Sequence, residues 1–378
     1  MKVGIMTFID EKNYGNRLQN FAVQEFLKEQ GFEVETIRND KFYDYYLVDD
    51  SLKRQIGVTL KRIIFGIYRF IDKSDSLQGY EITFDHRMRK RICLNKQFTC
   101  ENIKQSKIML REGDDYCEKL SDYKYIFIGS DQVWNPLMAG ASEFFFLPKI
   151  ESEKKIVFAA SIGLDAIPDE YRQQWNYYLS TLCKISVREQ SAIEILKESR
   201  KEAIKILDPT FLLERSEYDI LAAKSRCDVK SKYVATYLLG DRNSEYAGKI
   251  KKFATEYGLD IIDINDTKNT FSVYDFLKII KHAEVIITDS FHACVFSIIF
   301  LKEFYVVKRV GEFENIYSRI KDLLETFAIE GRDINRIEDI VTRKNVKLCE
   351  QYDTVDKIIK ENKEKTLKFL NDSCQEIL

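Results

Sequence analysis

Two hydrophobic periods alternate along the chain. Residues 2–8 form a short apolar run of the kind that fills a buried strand. A polar loop, IDEKNYGN, leads into RLQNFAVQEFLKEQG, where Leu18, Phe21, Ala22, Phe26 and Leu27 recur at helical spacing and Gly31 marks the stop. Residues 32–37 are apolar again. The three segments predict a β-loop-α-β unit, from which parallel sheets are built.

The pattern repeats. YIFIG at 125–129 and KIVFAA at 155–160 predict buried strands, ending in the polar turns SDQVWN and SIG. CKISV at 183–187 predicts a strand that runs through Arg188 into a helix over 189–198. A further strand at 204–207 ends in DPTFLL. A second series starts near 232 with YVATYLLG, then a helix over 244–257, the strand LDIIDIN and a helix over 273–282. EVIITD, FHACVFSIIF, FYVVKR and ENIYSRIKDLLETF continue it as strand, helix, strand and helix. A charged helix over 352–370 closes the chain. The whole predicts two parallel α/β domains meeting near 213–230, a division that 378 residues allow.

Composition narrows the picture. A net charge of -2 gives no global attraction to nucleic acid, so an anion must be held by a local cluster. Eight scattered cysteines with no CxxC read as reduced thiols, and four prolines with fifteen glycines leave little for long linkers. The first residues lack the charged and apolar regions of a signal peptide, and no apolar run reaches the ~20 residues of a membrane span. The expectation is a cytoplasmic protein. Residues 52–73 (LKRQIGVTLKRIIFGIYRFIDK) are basic and amphipathic, which suits either a helix covering its own domain or one lying on the inner face of an anionic membrane.

In open parallel sheets ligands lie beyond the carboxyl ends of the strands. Asn13, Gly15, Asn16 and Arg17 follow the first strand and open its helix, where free amides suit an anionic or polyhydroxyl ligand or merely form a turn. Ser130, Asp131, Trp134 and Asn135 crowd another strand end. They offer directional partners and an aromatic face for a sugar, or else a capped helix with a core tryptophan. Arg188 can fork onto phosphate or carboxylate, or pair at the surface. In DSFHA, Asp289 and Ser290 are good N-caps, and His292, one of three histidines, falls in the first helical turn. There it either donates to an anion and passes a proton or serves the packing.

Several stretches together resemble the polysaccharide pyruvyltransferase family: FIDEKNYGNRLQNFAVQ, GSDQVWNP, the SVRE around Arg188, LDPTFLL, ITDSFHACVFSIIF and SRIKDLLE, in family order. The resemblance implies two Rossmann-like domains facing across a cleft, a GT-B-like fold, with 1–215 on the acceptor side and 216–378 carrying the terminal helix. It implies transfer from phosphoenolpyruvate, as co-substrate and without cofactor or metal, to a glycan or lipid-linked acceptor as a cyclic ketal. His292 and Arg188 resemble the family's catalytic pair. The family's Arg-Leu-His signature has an arginine where Ser290 stands, so Arg319, Arg309 or Lys308, with Asp289 nearby, would complete the donor side. The alternatives are a nucleotide-sugar-dependent GT-B glycosyltransferase and a non-catalytic glycan-binding protein of polysaccharide assembly.

Overall fold

In a computed structural model the described residues are 1–41, 86–111, 113–138, 141–229, 232–240, 244–266, 269–309, 317–329, 331–334 and 354–374. The amphipathic stretch 52–73 lies outside them. The strands are β1 (Lys2–Met6), β2 (Glu33–Asn39), β3 (Gln105–Leu110), β4 (Tyr125–Ile128), β5 (Lys155–Ala160), β6 (Lys184–Val187) and β7 (Ile204–Lys205), then β8 (Tyr233–Tyr237), β9 (Asp260–Asp263), β10 (Val285–Thr288), β11 (Phe304–Val307) and β12 (Asp333–Ile334). The helices are α1 (Tyr14–Glu29), α2 (His86–Asn102), α3 (Tyr116–Lys119), α4 (Asp169–Ser180), α5 (Gln190–Glu198) and α6 (Arg215–Ala223). They continue as α7 (Ser244–Tyr257), α8 (Val273–His282), α9 (Phe291–Ile299), α10 (Tyr317–Thr326) and α11 (Val355–Ser373).

The first sheet has seven strands in the order β3-β2-β1-β4-β5-β6-β7, and the second has five in the order β12-β11-β10-β8-β9. The pairings are parallel, as in Val3↔Tyr125 and Ile286↔Phe304. Each order reverses once, between β1 and β4 in the first sheet and between β10 and β8 in the second. Such a reversal opens a crevice at the carboxyl ends. The protein is therefore α/β, doubly wound in both sheets.

Strands β4, β5 and β8 are buried along their whole length, which is why they read as unbroken apolar runs. One hydrophobic core joins α1 to the second sheet: Tyr14 stacks on Phe276 of α8 with ring centroids 5.1 Å apart, and its hydroxyl donates to the Phe271 carbonyl at 2.9 Å. This contact brings the start of α1 up to the carboxyl ends of the second sheet. A Ser272–Asp275 capping box starts α8 where the 3.6 period predicts it. The sequence pattern did not disclose α2, β3 or α4. The first two carry dense basic and polar residues, and α4 (DEYRQQWNYYLS) buries only Trp175 and Leu179. Among the described residues no helix is long and apolar enough to cross a membrane.

Candidate active site

The first switch point is closed by side chains from both of its strands. Asn13 caps α1, its Oδ1 accepting from the Asn16 amide at 3.2 Å. Across the crevice Asn16 Nδ2 donates to Asp131 Oδ2 at 2.7 Å, while Asn16 Oδ1 accepts from the Asp10 amide at 2.9 Å and Arg17 Nε at 3.1 Å. Arg17 also donates to the Phe8 carbonyl at 2.7 Å. Asp131 follows β4 at φ 72°, a left-handed conformation that aspartate tolerates better than most residues. Its Oδ1 accepts the Gln132 amide at 2.8 Å.

Arg188 extends from the end of β6 into the same place. Its Nη1 pairs with Asp208 Oδ2, and its Nη2 lies 3.7 Å from Asp131 Oδ1. Asp208 is fixed from the other side, where Oδ1 accepts the Thr210 amide at 3.0 Å and the Thr210 hydroxyl at 2.7 Å. From the second sheet, α9 brings His292 to this pair, with Nε2 3.7 Å from Asp208 Oδ2. The ring lies against Gly15 so closely that a Cβ there would sit 2.6 Å from His292 Cβ and nearer still to Cγ and Nδ1. Only glycine lets the α1 backbone approach the imidazole this far. The first turns of α1 and α9 thus face each other across one imidazole.

The neighbour of His292 completes the junction. The Phe291 ring has the Arg188 guanidinium carbon 5.0 Å from its centroid and that of Arg319, from α10, at 5.3 Å. One aromatic ring thus meets two guanidiniums, each attracted by its π-system, which partly offsets their mutual repulsion. With the Gln132 amide turned so that its oxygen faces Arg319, that oxygen accepts from Nη1 at 2.8 Å.

Burial favours protonated Asp131 and Asp208. Arg188 and then His292 outweigh it and hold both carboxyls below their ordinary value. Burial likewise works against charge on Arg188, but Asp208, Asp131 and Glu189 more than offset it and raise its proton affinity. Arg319 is lowered to about 10 by burial and then by Arg188. Burial lowers His292 as well; Asp208 and Asp131 oppose the shift, while Arg188 and Arg319 reinforce it. Its resting form near neutrality is the uncharged imidazole.

Among the described residues, Arg17 Nη1, Arg188 Nε and Nη2, and His292 Nε2 are buried without a hydrogen bond. Buried donors are ordinarily satisfied. Arg17 Nη1 faces Glu11 at 3.9 Å; the donors on Arg188 and His292, beside helix N-termini that also favour negative charge, are of the kind that suits a compact anion with several oxygens.

The other candidates occupy different places. Ser130 is fully buried and its hydroxyl donates to the Ala159 carbonyl at 2.9 Å. Trp134 is buried: its indole donates to the Phe145 carbonyl at 2.8 Å and one face stacks on Phe146. Asn135 is buried beside Gln132 at 3.2 Å. Ser290 holds the N-cap position of α9 without a side-chain cap bond. The Asp289 carboxylate accepts the Leu239 and Gly240 amides at 2.7 and 2.8 Å and pairs with Arg309 Nε at 3.3 Å. It closes the second switch point and does not orient His292. Arg309 is engaged there and Lys308 is exposed, so Arg319 is the cation that reaches Arg188. Asp208 and Phe291 were not anticipated. An aspartate before Pro209 at a helical start was the available signal for the first.

The family model for polysaccharide pyruvyl transferase matches residues 13–309. The chain belongs to that family. The matched span runs from the α1 cap to Arg309 and includes Asp131, Arg188, Asp208 and His292. No curated protein matches the sequence. The fold is similar to the UDP-GlcNAc 2-epimerase of Methanocaldococcus jannaschii, 12% identical, with 92% of this chain and 93% of that one covered and a TM-score of 0.51. It is equally similar to the UDP-N-acetylglucosamine 2-epimerase of Rickettsia bellii, 10% identical, covering 98% and 96%, also with a TM-score of 0.51. These likenesses concern the two-sheet fold alone.

Proposed function

We propose that this transferase moves the enolpyruvyl unit of phosphoenolpyruvate onto two hydroxyls of one sugar in a cell-surface polysaccharide or its lipid-linked precursor. The product is a cyclic pyruvate ketal, with phosphate released. The observation that carries the reading is the pair of buried groups without hydrogen bonds on Arg188 and His292, with Arg319 at the same Phe291 ring as Arg188. Phosphoenolpyruvate presents a phosphate and a carboxylate close together, and forked guanidiniums suit both.

The chemistry follows from charge. Bound substrate brings negative charge beside a neutral imidazole and raises its proton affinity, so His292 becomes an acid when the donor is present. The C3 methylene takes a proton and becomes methyl while positive charge develops at C2. One sugar hydroxyl forms a C2–O bond and gives up its proton to a carboxylate or imidazole of the cluster. The C2–O bond to phosphate breaks, the second hydroxyl closes the ring, and its proton leaves with phosphate. Arg188 and Arg319 stabilise the departing phosphate.

A nucleotide-sugar glycosyltransferase on the same fold is less well supported. At the second switch point the Leu239 and Gly240 amides, which could hold a diphosphate, are taken by Asp289. The test is phosphate release from phosphoenolpyruvate with galactosides, glucosides and mannosaminides, beside thermal shift with phosphoenolpyruvate and with UDP. His292→Ala and Arg188→Ala should each lower release about 100-fold or more. Stabilisation by UDP alone, with no phosphate released, rejects the reading.

A further inference from the structure

The turn that carries Asp131 has a second side. A pocket of about 210 Å³ lies there, walled by Trp134, Asn135, Tyr171, Gln174, Trp175 and Tyr178. Four of these belong to α4 at positions i, i+3, i+4 and i+7, one face of the helix. That face is incompletely covered: Gln174 is exposed, and Tyr171 and Tyr178 are half-buried. Trp134, Phe146 and Tyr178 form a stacked series with centroids 5.3 and 4.8 Å apart, and Trp175 stands edge-on to Phe146 at 5.3 Å. The Trp175 indole N–H is buried with no hydrogen bond among the described residues. The Asn135 amide is taken up by Gln132 and Leu137, and Gln174 Nε2 donates to the Tyr178 hydroxyl at 2.8 Å; the unengaged indole donor beside aromatic walls then suits a ligand with an apolar face and hydroxyls.

Charge and size restrict it further. Among the described residues the lining holds no lysine or arginine and one carboxylate, Glu143, which disfavours phosphate and nucleotide. The pocket is smaller than the ~300 Å³ at which drug-sized sites begin. A single sugar ring suits it. It also lies close to the charged cluster, because the four residue steps from Asp131 to Asn135 span at most about 14 Å even when extended.

We propose that this pocket is a second acceptor subsite, holding a neutral sugar residue that neighbours the one receiving pyruvate. The inference rests on the proposed pyruvyl transfer for its name, though not for its ability to bind glycan. It makes the natural acceptor an oligosaccharide rather than a single sugar.

Both tryptophans of the chain line this pocket, so intrinsic fluorescence reports on it directly. The probes are neutral di- and trisaccharides of glucose, galactose, N-acetylglucosamine and N-acetylmannosamine. At least one should give a saturable change in emission that Tyr171→Ala and Gln174→Ala weaken about tenfold and Arg188→Ala preserves. Gln174 is exposed and Tyr171 half-buried, and thermal unfolding confirms that both variants fold. With the same glycan as acceptor, Tyr171→Ala should raise KM about tenfold with kcat unchanged. Saturable glycan binding without phosphate release from phosphoenolpyruvate would uphold the subsite and reject pyruvyl transfer. Absence of a saturable response to every glycan, or a response unaltered in both α4 variants, overturns the subsite.

Discussion

Gly15→Ala isolates the contact on which the site depends. In an ordinary helix the change stabilises by about 1 kcal/mol, since alanine is the better helix former. Here the new Cβ would stand 2.6 Å from His292 Cβ, against about 3.5 Å for an ordinary carbon contact. The ring or the start of α1 must therefore move by about 1 Å. Overpacking of this kind costs about 1–3 kcal/mol, so the net effect is a loss of up to about 2 kcal/mol. A displacement of ~1 Å in a reacting group can cost about 100-fold in rate. The expected result is a modest fall in denaturant midpoint with a disproportionate fall in phosphate release. Gly248→Ala is the control: a Cβ there meets nothing within 4 Å, so the variant should be as stable as the parent or up to about 1 kcal/mol more so. If Gly15→Ala behaves like Gly248→Ala in both assays, α1 and His292 are not in contact and the geometry is refuted.

Two further outcomes follow from the electrostatics. Asp208→Asn leaves Arg188 buried with only the weaker support of Asp131 and Glu189, and should lower stability by about 3 kcal/mol in urea unfolding; a loss below about 1 kcal/mol would mean that the pair is not buried as described. His292 has a folded-state affinity below that of the unfolded chain. Above pH ~6.5 it contributes no pH dependence, and as pH falls through that value the unfolded state binds a proton that the folded state refuses. Asp131 and Asp208, held low, contribute stability above pH ~3.9 that is lost only as pH falls through their depressed values. Wild-type stability should therefore decline between pH 7 and pH 5, and His292→Gln should flatten that decline. Equal slopes in the two proteins would show that the ring is not held neutral.

Much of the fold was legible because buried parallel strands and one-faced helices write strong periods. The helices at 244–257 and 273–282 were placed to the residue, and the strand at 155–160 likewise. What stayed hidden is physical in origin. The helix Asp169–Ser180 mixes Tyr171, Trp175 and Tyr178 with Arg172, Gln173 and Gln174, because only Trp175 and Leu179 enter the core and the two tyrosines lie at its edge. Arg188 and His292 announced themselves by residue type and strand-end position. Asp208 did not, since nothing local distinguishes an N-cap from an aspartate that also binds an arginine twenty residues upstream. The inward turn of Trp134 was not legible either, because polar neighbours in sequence do not tell that an indole donates to a carbonyl within the fold. Arg319 was one of three cations at hand. Only the topology shows that Arg309 is held by Asp289 and Lys308 faces solvent.

With three histidines in the chain, histidine side-chain NMR can follow residue 292 directly once His292→Gln has identified its signal. Addition of phosphoenolpyruvate should shift that signal and move its titration upward, as substrate charge reaches the imidazole, and Arg188→Ala should abolish the response. A His292 resonance that ignores phosphoenolpyruvate at saturating concentration, or that answers to UDP instead, would contradict the assignment of this cluster as the donor site.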